Sequence, residues 1–174
     1  LFILLLSLPA YGQILTPIMF GASAAPAGCT GTVNVTSFGA TGNGVTDDTA
    51  AEQAALTSAS GGQSVYWPSG TYKTTSRLTV PTNVKVIGCG GSSLVGYQGT
   101  STGGWQLLRV ISGTEVTGMT LNGGGIDVYC SGSDVTGVSI HDGVIMNLND
   151  SSPFSPQIFG IFGNNNGTTC ALSG

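Results

Sequence analysis

The sequence predicts an all-β protein, and within that class a parallel β-helix, from its composition, its short strand-like runs and an internal repeat. The 174 residues include 29 glycines, four Lys or Arg and eight Asp or Glu. Charged residues make up 7 % of the chain, against roughly 25 % in a typical soluble domain. This excludes a salt-bridged helical bundle, which needs charged exposed faces, and a nucleic-acid-binding surface, which needs clustered cations. The length predicts one domain, with or without processing segments.

The N-terminal residues predict export. The run LFILLLSL is apolar but shorter than the roughly 20 residues that cross a bilayer, and the small residues Ala10 and Gly12 follow it as at a signal-peptidase site. We therefore expect residues 1–12 to be a signal peptide with an incomplete n-region, 13–32 a linker, and 33–174 the folded domain. A buried strand, or a second cleavage site after Ala24, is the alternative.

Cysteine usage agrees with an extracellular or periplasmic location. The four cysteines lie far apart with no C-x-x-C spacing, so a zinc site is not expected. In an oxidising compartment they allow two disulfides with three connectivities, and four buried thiols are the alternative. The residues are Cys29, Cys89, Cys130 and Cys170.

One helix is predicted, at Asp48 to Ser58, after a strand at Val33 to Phe38 and a glycine-rich loop. Asp47, Asp48 and Thr49 are all good N-cap residues, and Thr49 with Glu52 has the spacing of a capping box. Gly61 and Gly62 end the helix.

After the helix, short β-rich runs are separated by Gly or Pro, and two of them align at a 19-residue interval. The segments 115–121 and 134–140 share the pattern acid-Val-Thr-Gly-x-Thr/Ser-Leu/Ile. Such a period is typical of a solenoid in which each turn places aliphatic side chains inside. The alignment predicts that Val116 stacks on Val135 and Leu121 on Ile140.

Three ordered motifs resemble a known family. They are FGATGNGVTDDT at 38–49 with QAA at 53–55, VYWPSGTY at 65–72, and LTVPTNVKVIG at 78–88. Together they resemble the opening of the pectate-lyase superfamily, and most closely the rhamnogalacturonase/epimerase-like pectate lyase domain. The resemblance implies a right-handed parallel β-helix. Glu52 departs from it, because the family usually has an aliphatic residue there.

The resemblance and the residue types both assign the first motif a structural role. Its glycines permit a tight loop with positive φ, and its acidic residues begin a helix that covers the open end of the first turn. The residues of this cap motif are Gly39, Gly42, Gly44, Asp47, Asp48 and Thr49.

Asp127, His141 and Asp142 are the candidate catalytic residues. Asn122 and His141 share a position in the aligned segments, and a carboxylate beside His141 could act in general acid or base catalysis at a glycosidic bond. The alternative is that these are turn residues, since Asn, Asp and Gly are common in turns for backbone reasons.

The resemblance implies a secreted glycoside hydrolase or polysaccharide lyase acting on pectin-like or other acidic glycans. No metal or other cofactor is expected for this stretch, and Ca²⁺ only if the whole protein is a lyase. The characteristic catalytic motifs are absent, so we expect the catalytic turns to lie beyond Gly174 and this fragment to be inactive. The alternative is a non-catalytic β-helix that binds glycans as an adhesin or tail-spike-like module. The expected partner is a polysaccharide, without nucleic acid or membrane; substrate and oligomeric state stay open.

Overall fold

The computed structural model describes Cys29 and residues 31–96, 106–130, 134–142, 144–147, 161–165 and 172–173. The expected signal peptide, most of the expected linker and Cys170 lie outside the described residues. No helix within these ranges is long and apolar enough to cross a membrane.

Most strands belong to three parallel sheets, and strands that follow one another in the sequence belong to different sheets. The first sheet contains β1 (Val33–Asn34), β3 (Ser64–Trp67), β6 (Lys85–Gly88), β9 (Glu115–Thr117) and β13 (Ser139–His141). The second contains β2 (Asn43–Asp47), β4 (Gly70–Thr74), β7 (Ser92–Gly96), β10 (Thr120–Asn122) and β14 (Ile145–Asn147). The third contains β5 (Leu78–Thr79), β8 (Gln106–Val110), β11 (Gly125–Cys130) and β15 (Ile161–Asn165). A separate pair joins β12 (Val135–Thr136) to β16 (Leu172–Ser173).

This topology confirms the all-β class, and its parallel sheets fit a β-helix. All pairings between the described strands are parallel, and each joins two strands that are not consecutive in the sequence. Inward side chains form the core, with Val65, Val86 and Val116 adjacent in register and fully buried. Burying a side chain of this size contributes roughly 1.5–3 kcal/mol.

The register predicted from the 19-residue repeat is wrong. Val116 pairs with Ile140 and not with Val135, while Leu121 pairs with Leu94 and Met146 and not with Ile140. The aligned segments are two corners of similar shape: each contains a glycine of positive φ between two short strands, at Gly118 and Gly137. The strands that the alignment matches lie on different sheets: β9 on the first sheet is matched with β12 of the separate pair, and β10 on the second sheet with β13 on the first. The similarity of the two segments therefore does not indicate that they stack on each other.

Helix α1 (Thr49–Ser58) begins within one residue of the prediction, but its N-terminal contacts differ. Asp48 is the N-cap residue and makes no side-chain capping bond; its carboxylate accepts from the Thr41 and Gly42 backbone N–H groups at 2.7 and 3.1 Å. Asp47 accepts from the Thr49 N–H instead, at 3.1 Å. The predicted capping box is wrong, because Glu52 points into the interior.

The glycine-rich loop and the strand before it follow from local chemistry. Gly39, Gly42 and Gly44 all have positive φ, which confirms the predicted loop conformation. The predicted strand at Val33 to Phe38 stops at Asn34, because the Asn34 side chain accepts from the Thr36 N–H at 2.9 Å and a 3₁₀ turn (Val35–Phe38) begins there.

The helix also covers an edge of the third sheet. The Gln53 side-chain amide donates to the Thr79 carbonyl at 3.0 Å and accepts from the Thr79 N–H at 2.9 Å. One side chain thus satisfies the two backbone groups of β5 that a preceding strand would otherwise pair, and it protects that edge from another chain.

We expect Gln53→Ala to lower the free energy of unfolding by about 1–2 kcal/mol, because two hydrogen bonds worth roughly 1 kcal/mol each are lost. Amide exchange at Thr79, followed by NMR, should become faster. Gln63→Ala is the matched control, since the Gln63 side chain accepts from Ser60 within its own loop. Unchanged exchange at Thr79 in Gln53→Ala would contradict this role.

Candidate functional site

Two arginines and one aspartate meet on the outer face of the third sheet. Register places Arg109 of β8 directly beside Asp127 of β11. Leu108 and Val110 are buried in the core, so Arg109 between them points outward, as expected for alternating side chains. Asp127 Oδ2 accepts from Arg109 Nε at 2.8 Å and lies 3.4 Å from the near amino group of Arg77.

Gln106 and Tyr129 complete this group, which we call the arginine cluster: Arg77, Gln106, Arg109, Asp127 and Tyr129. Arg77 donates to Gln106 Oε1 at 3.0 Å. The Arg109 guanidinium lies 3.9 Å from the centre of the Tyr129 ring, a cation–π contact that orients both groups.

The cluster carries a net charge of about +1, because two guanidinium groups share one carboxylate. The Asp127 side chain is fully buried, whereas those of Arg109 and Arg77 are 19 % and 34 % exposed. Asp127 Oδ1 is buried and has no hydrogen-bond partner, which is costly for a carboxylate oxygen. The buried Asp127 carboxylate thus positions the two arginines, whose side chains remain partly exposed to solvent.

A second set of charged side chains, the ion ladder, runs along the first sheet. It consists of Lys85, Glu115, His141 and Asp142. Glu115 Oε2 lies 2.7 Å from Lys85 Nζ, and Glu115 Oε1 lies 3.1 Å from His141 Nε2. Asp142 accepts from His141 Nδ1 at 2.7 Å.

These contacts change the acidities of the ladder. The hydrogen bond from Lys85 holds the pKa of Glu115 below its usual value, and the hydrogen bond to Asp142 raises the pKa of His141. All four side chains are at least 30 % exposed, so their ion pairs contribute little stability.

The structure does not bring the predicted catalytic residues into one group. Asp127 lies on the third sheet and is neutralised by arginines, whereas His141 and Asp142 lie at the end of β13 on the first sheet. The expected equivalence of Asn122 and His141 is wrong, because Asn122 pairs with Val95 while His141 pairs with Thr117. Asp142 has a φ of 51°, in agreement with the turn alternative.

Sequence reasoning missed the arginines because Arg77, Arg109 and Asp127 occupy unequal spacings along the chain. Only strand register reveals that they are neighbours. Sequence reasoning also left three disulfide connectivities open for the four cysteines. The structure joins Cys29 to Cys89 in a disulfide. The side chains of Cys130 and Cys170 lie outside the described part. Among the described residues, no group of three or more His, Cys, Asp or Glu side chains could hold a metal ion.

Comparison with known proteins gives one family and several partial relatives. The family model described as rhamnogalacturonase A/epimerase, pectate lyase-like, matches residues 32–122, just over half of the chain. Mannuronan C5-epimerase AlgE2 of Azotobacter vinelandii is 46 % identical in an alignment of 66 residues that covers 33 % of this chain and 7 % of the relative. A probable glucan endo-1,3-beta-glucosidase of Arthroderma benhamiae is 48 % identical over 56 residues, which are 32 % of this chain and 6 % of the relative.

A solved structure resembles a larger part. Geobacillus virus E2 ORF18 aligns with a TM-score of 0.53 and 28 % identity over 63 % of this chain and 25 % of that protein. The chain therefore spans less than a tenth of the curated relatives named here, and a quarter of the viral protein.

Proposed function

Because this chain belongs to the rhamnogalacturonase A/epimerase, pectate lyase-like family, we propose that it is part of a secreted polysaccharide-acting protein and binds an acidic glycan through its arginine cluster. The named relatives include an epimerase of mannuronan and a glucosidase of glucan, which supports a carbohydrate ligand. We extend the parallel topology to a right-handed β-helix, whose long outer faces suit an extended chain.

The observation that carries the proposal is the pairing of Arg77 and Arg109 on one face. The whole chain has four Lys or Arg residues. Lys73 lies on the second sheet and Lys85 on the first, so the third sheet is where two cations act together. A guanidinium group binds a carboxylate through parallel N–H bonds, which a uronate can accept.

The remaining members of the cluster would position the glycan. Asp127 fixes Arg109 from the buried side, and Tyr129 offers an aromatic face next to the charge. This arrangement binds and orients, because the Asp127 oxygen that accepts hydrogen bonds is already in contact with both arginines. We therefore assign recognition to this cluster and infer that hydrolysis or elimination by the whole protein uses other groups.

Arg77→Ala tests the assignment, because Asp127 keeps its shorter contact with Arg109. We expect at least a tenfold loss of affinity for polygalacturonate or alginate by calorimetry, in line with a charged hydrogen bond worth about 1.5–3 kcal/mol. Arg109→Lys, which retains the charge but loses the planar group, should also weaken binding.

Lys73→Ala and Lys85→Ala are the matched controls, since each removes one cation from another sheet. Both should leave the affinity within about threefold. Equal losses in all variants would show a non-specific charge effect, and undiminished binding by Arg77→Ala would overturn the assignment. Binding by the full-length protein without release of reducing ends or unsaturated uronates would favour the alternative of a non-catalytic binding module.

A further inference from the structure

A carboxyl group lies completely buried where helix α1 packs against the first strands. Glu52 has no exposed surface. Its Oε1 accepts from the Trp67 indole Nε1 at 2.9 Å, and its Oε2 lies 2.8 Å from the Thr74 hydroxyl oxygen. Glu52 therefore connects the helix to β3 on the first sheet and to β4 on the second.

No cation among the described residues faces this carboxyl group. The neighbouring Asp48 and Asp47 are negative and oppose its ionisation. Tyr72 lies nearby, and burial together with the negative charges of Asp48 and Glu52 raises the pKa of its phenol to about 12, so it stays neutral. On the same strands Lys73 is exposed and Tyr66 is half-buried, both on the opposite side from the buried residues that flank them.

Burial is the dominant influence on Glu52. It raises the pKa of the carboxyl group to about 7, although the hydrogen bonds from Trp67 and Thr74 act in the opposite direction. In the neutral form one oxygen accepts from Trp67 while the O–H can donate to the Thr74 hydroxyl, so both contacts are retained without a buried charge.

We propose that protonation of Glu52 controls how firmly helix α1 closes over the first turn. With the carboxyl group neutral, the helix is held by the contacts to Trp67 and Thr74. When the group ionises, an uncompensated charge is buried beside two aspartates, and the helix separates more readily. Gln53 is the next residue, so this opening also releases the Thr79 backbone at the edge of the third sheet.

The direction follows from proton linkage. The folded state binds the Glu52 proton more tightly than the unfolded chain, whose Glu titrates near 4.5. The contribution of Glu52 to closure is therefore complete below about pH 4.5 and is lost as the pH rises through about 7. The difference between a Glu52 pKa of about 7 in the folded state and one of 4.5 in the unfolded chain corresponds to roughly a hundredfold increase in the population of the open helix between pH 5 and pH 8.

NMR of the full chain tests the proposal. The chain has two tryptophans, and a Trp105→Phe variant identifies the indole N–H signal of Trp67. We expect that signal to titrate with a midpoint near 7, and amide exchange within α1, corrected for intrinsic rates, to rise up to about a hundredfold between pH 5 and pH 8.

Glu52→Gln is the matched variant, because the amide has nearly the same shape, can accept from Trp67 and donate to Thr74, and cannot ionise. Both pH dependences should disappear in it. His141→Gln controls for the chain's one histidine, whose pKa is raised by the hydrogen bond to Asp142; it should leave the Trp67 titration unchanged. A Trp67 midpoint below 5 in the unmodified chain would overturn the proposal, even if Glu52→Gln did not fold. So would a persistent titration in a folded Glu52→Gln variant.

Discussion

Replacing both Cys29 and Cys89 by serine is expected to lower the free energy of unfolding by about 4 kcal/mol. The disulfide joins residues 60 positions apart, and in the chain-entropy model a closed loop of this length restricts the unfolded state by about that amount. It joins Cys29, before β1, to Cys89, directly after β6. Because β3 lies between β1 and β6 in the first sheet, the disulfide spans three strands of that sheet.

Urea unfolding of the double variant, without reductant, measures this effect. A reducing agent should destabilise the unmodified chain by at least as much, and Thr36→Ala is a control for a change near the N-terminus that spares the disulfide. Peptide mapping should recover Cys29 linked to Cys89. A loss below 1 kcal/mol, or linkage of either residue to Cys130 or Cys170, would contradict the pairing.

Local features of the fold could be predicted from the sequence because they depend on neighbouring residues. Gly39, Gly42 and Gly44 permit conformations that other residues resist, and helix α1 lies within one residue of its predicted start. The motif that carries these residues also identified the family correctly.

Register could not be predicted, because it depends on the length of every intervening corner. Val33, Val65, Val86, Val116 and Ile140 are successive partners on the first sheet, and their separations of 32, 21, 30 and 24 positions share no common period. The 19-residue alignment therefore matched two corners of similar local sequence and not two strands that are neighbours in a sheet. The arginine cluster was missed for the same reason.

Glu52 shows how a distant partner overrides a local pattern. Its spacing from Thr49 predicts a capping box, but the buried indole of Trp67, fifteen residues later, needs an acceptor. Meeting that need determines where the carboxyl group points, and no signal within one turn of the helix reveals it.

The corner between the first and second sheets depends on two glycines, Gly88 and Gly118, at the ends of the adjacent strands β6 and β9. Gly118 has a φ of 64°, and a Cβ atom placed there would lie 2.5 Å from the Gly88 carbonyl oxygen. The contact is with backbone, which cannot move aside as a flexible side chain could. The Gly118 N–H also donates to the Asp142 carbonyl at 3.0 Å, so the same corner is hydrogen-bonded to the residue that follows β13.

Gly118→Ala is accordingly expected to cost about 3 kcal/mol of stability, from left-handed backbone strain of roughly 1–2 kcal/mol and an overpacking penalty of similar size. Two control variants separate these contributions in urea unfolding. Gly62→Ala has a φ of 87° and open space around the new methyl group, so it should cost about 1–2 kcal/mol from backbone strain alone. Gly61→Ala has neither positive φ nor a close neighbour and should stay within about 0.5 kcal/mol of the unmodified chain. Equal costs for Gly118→Ala and Gly62→Ala would show that Gly118 is not in close contact with the Gly88 backbone.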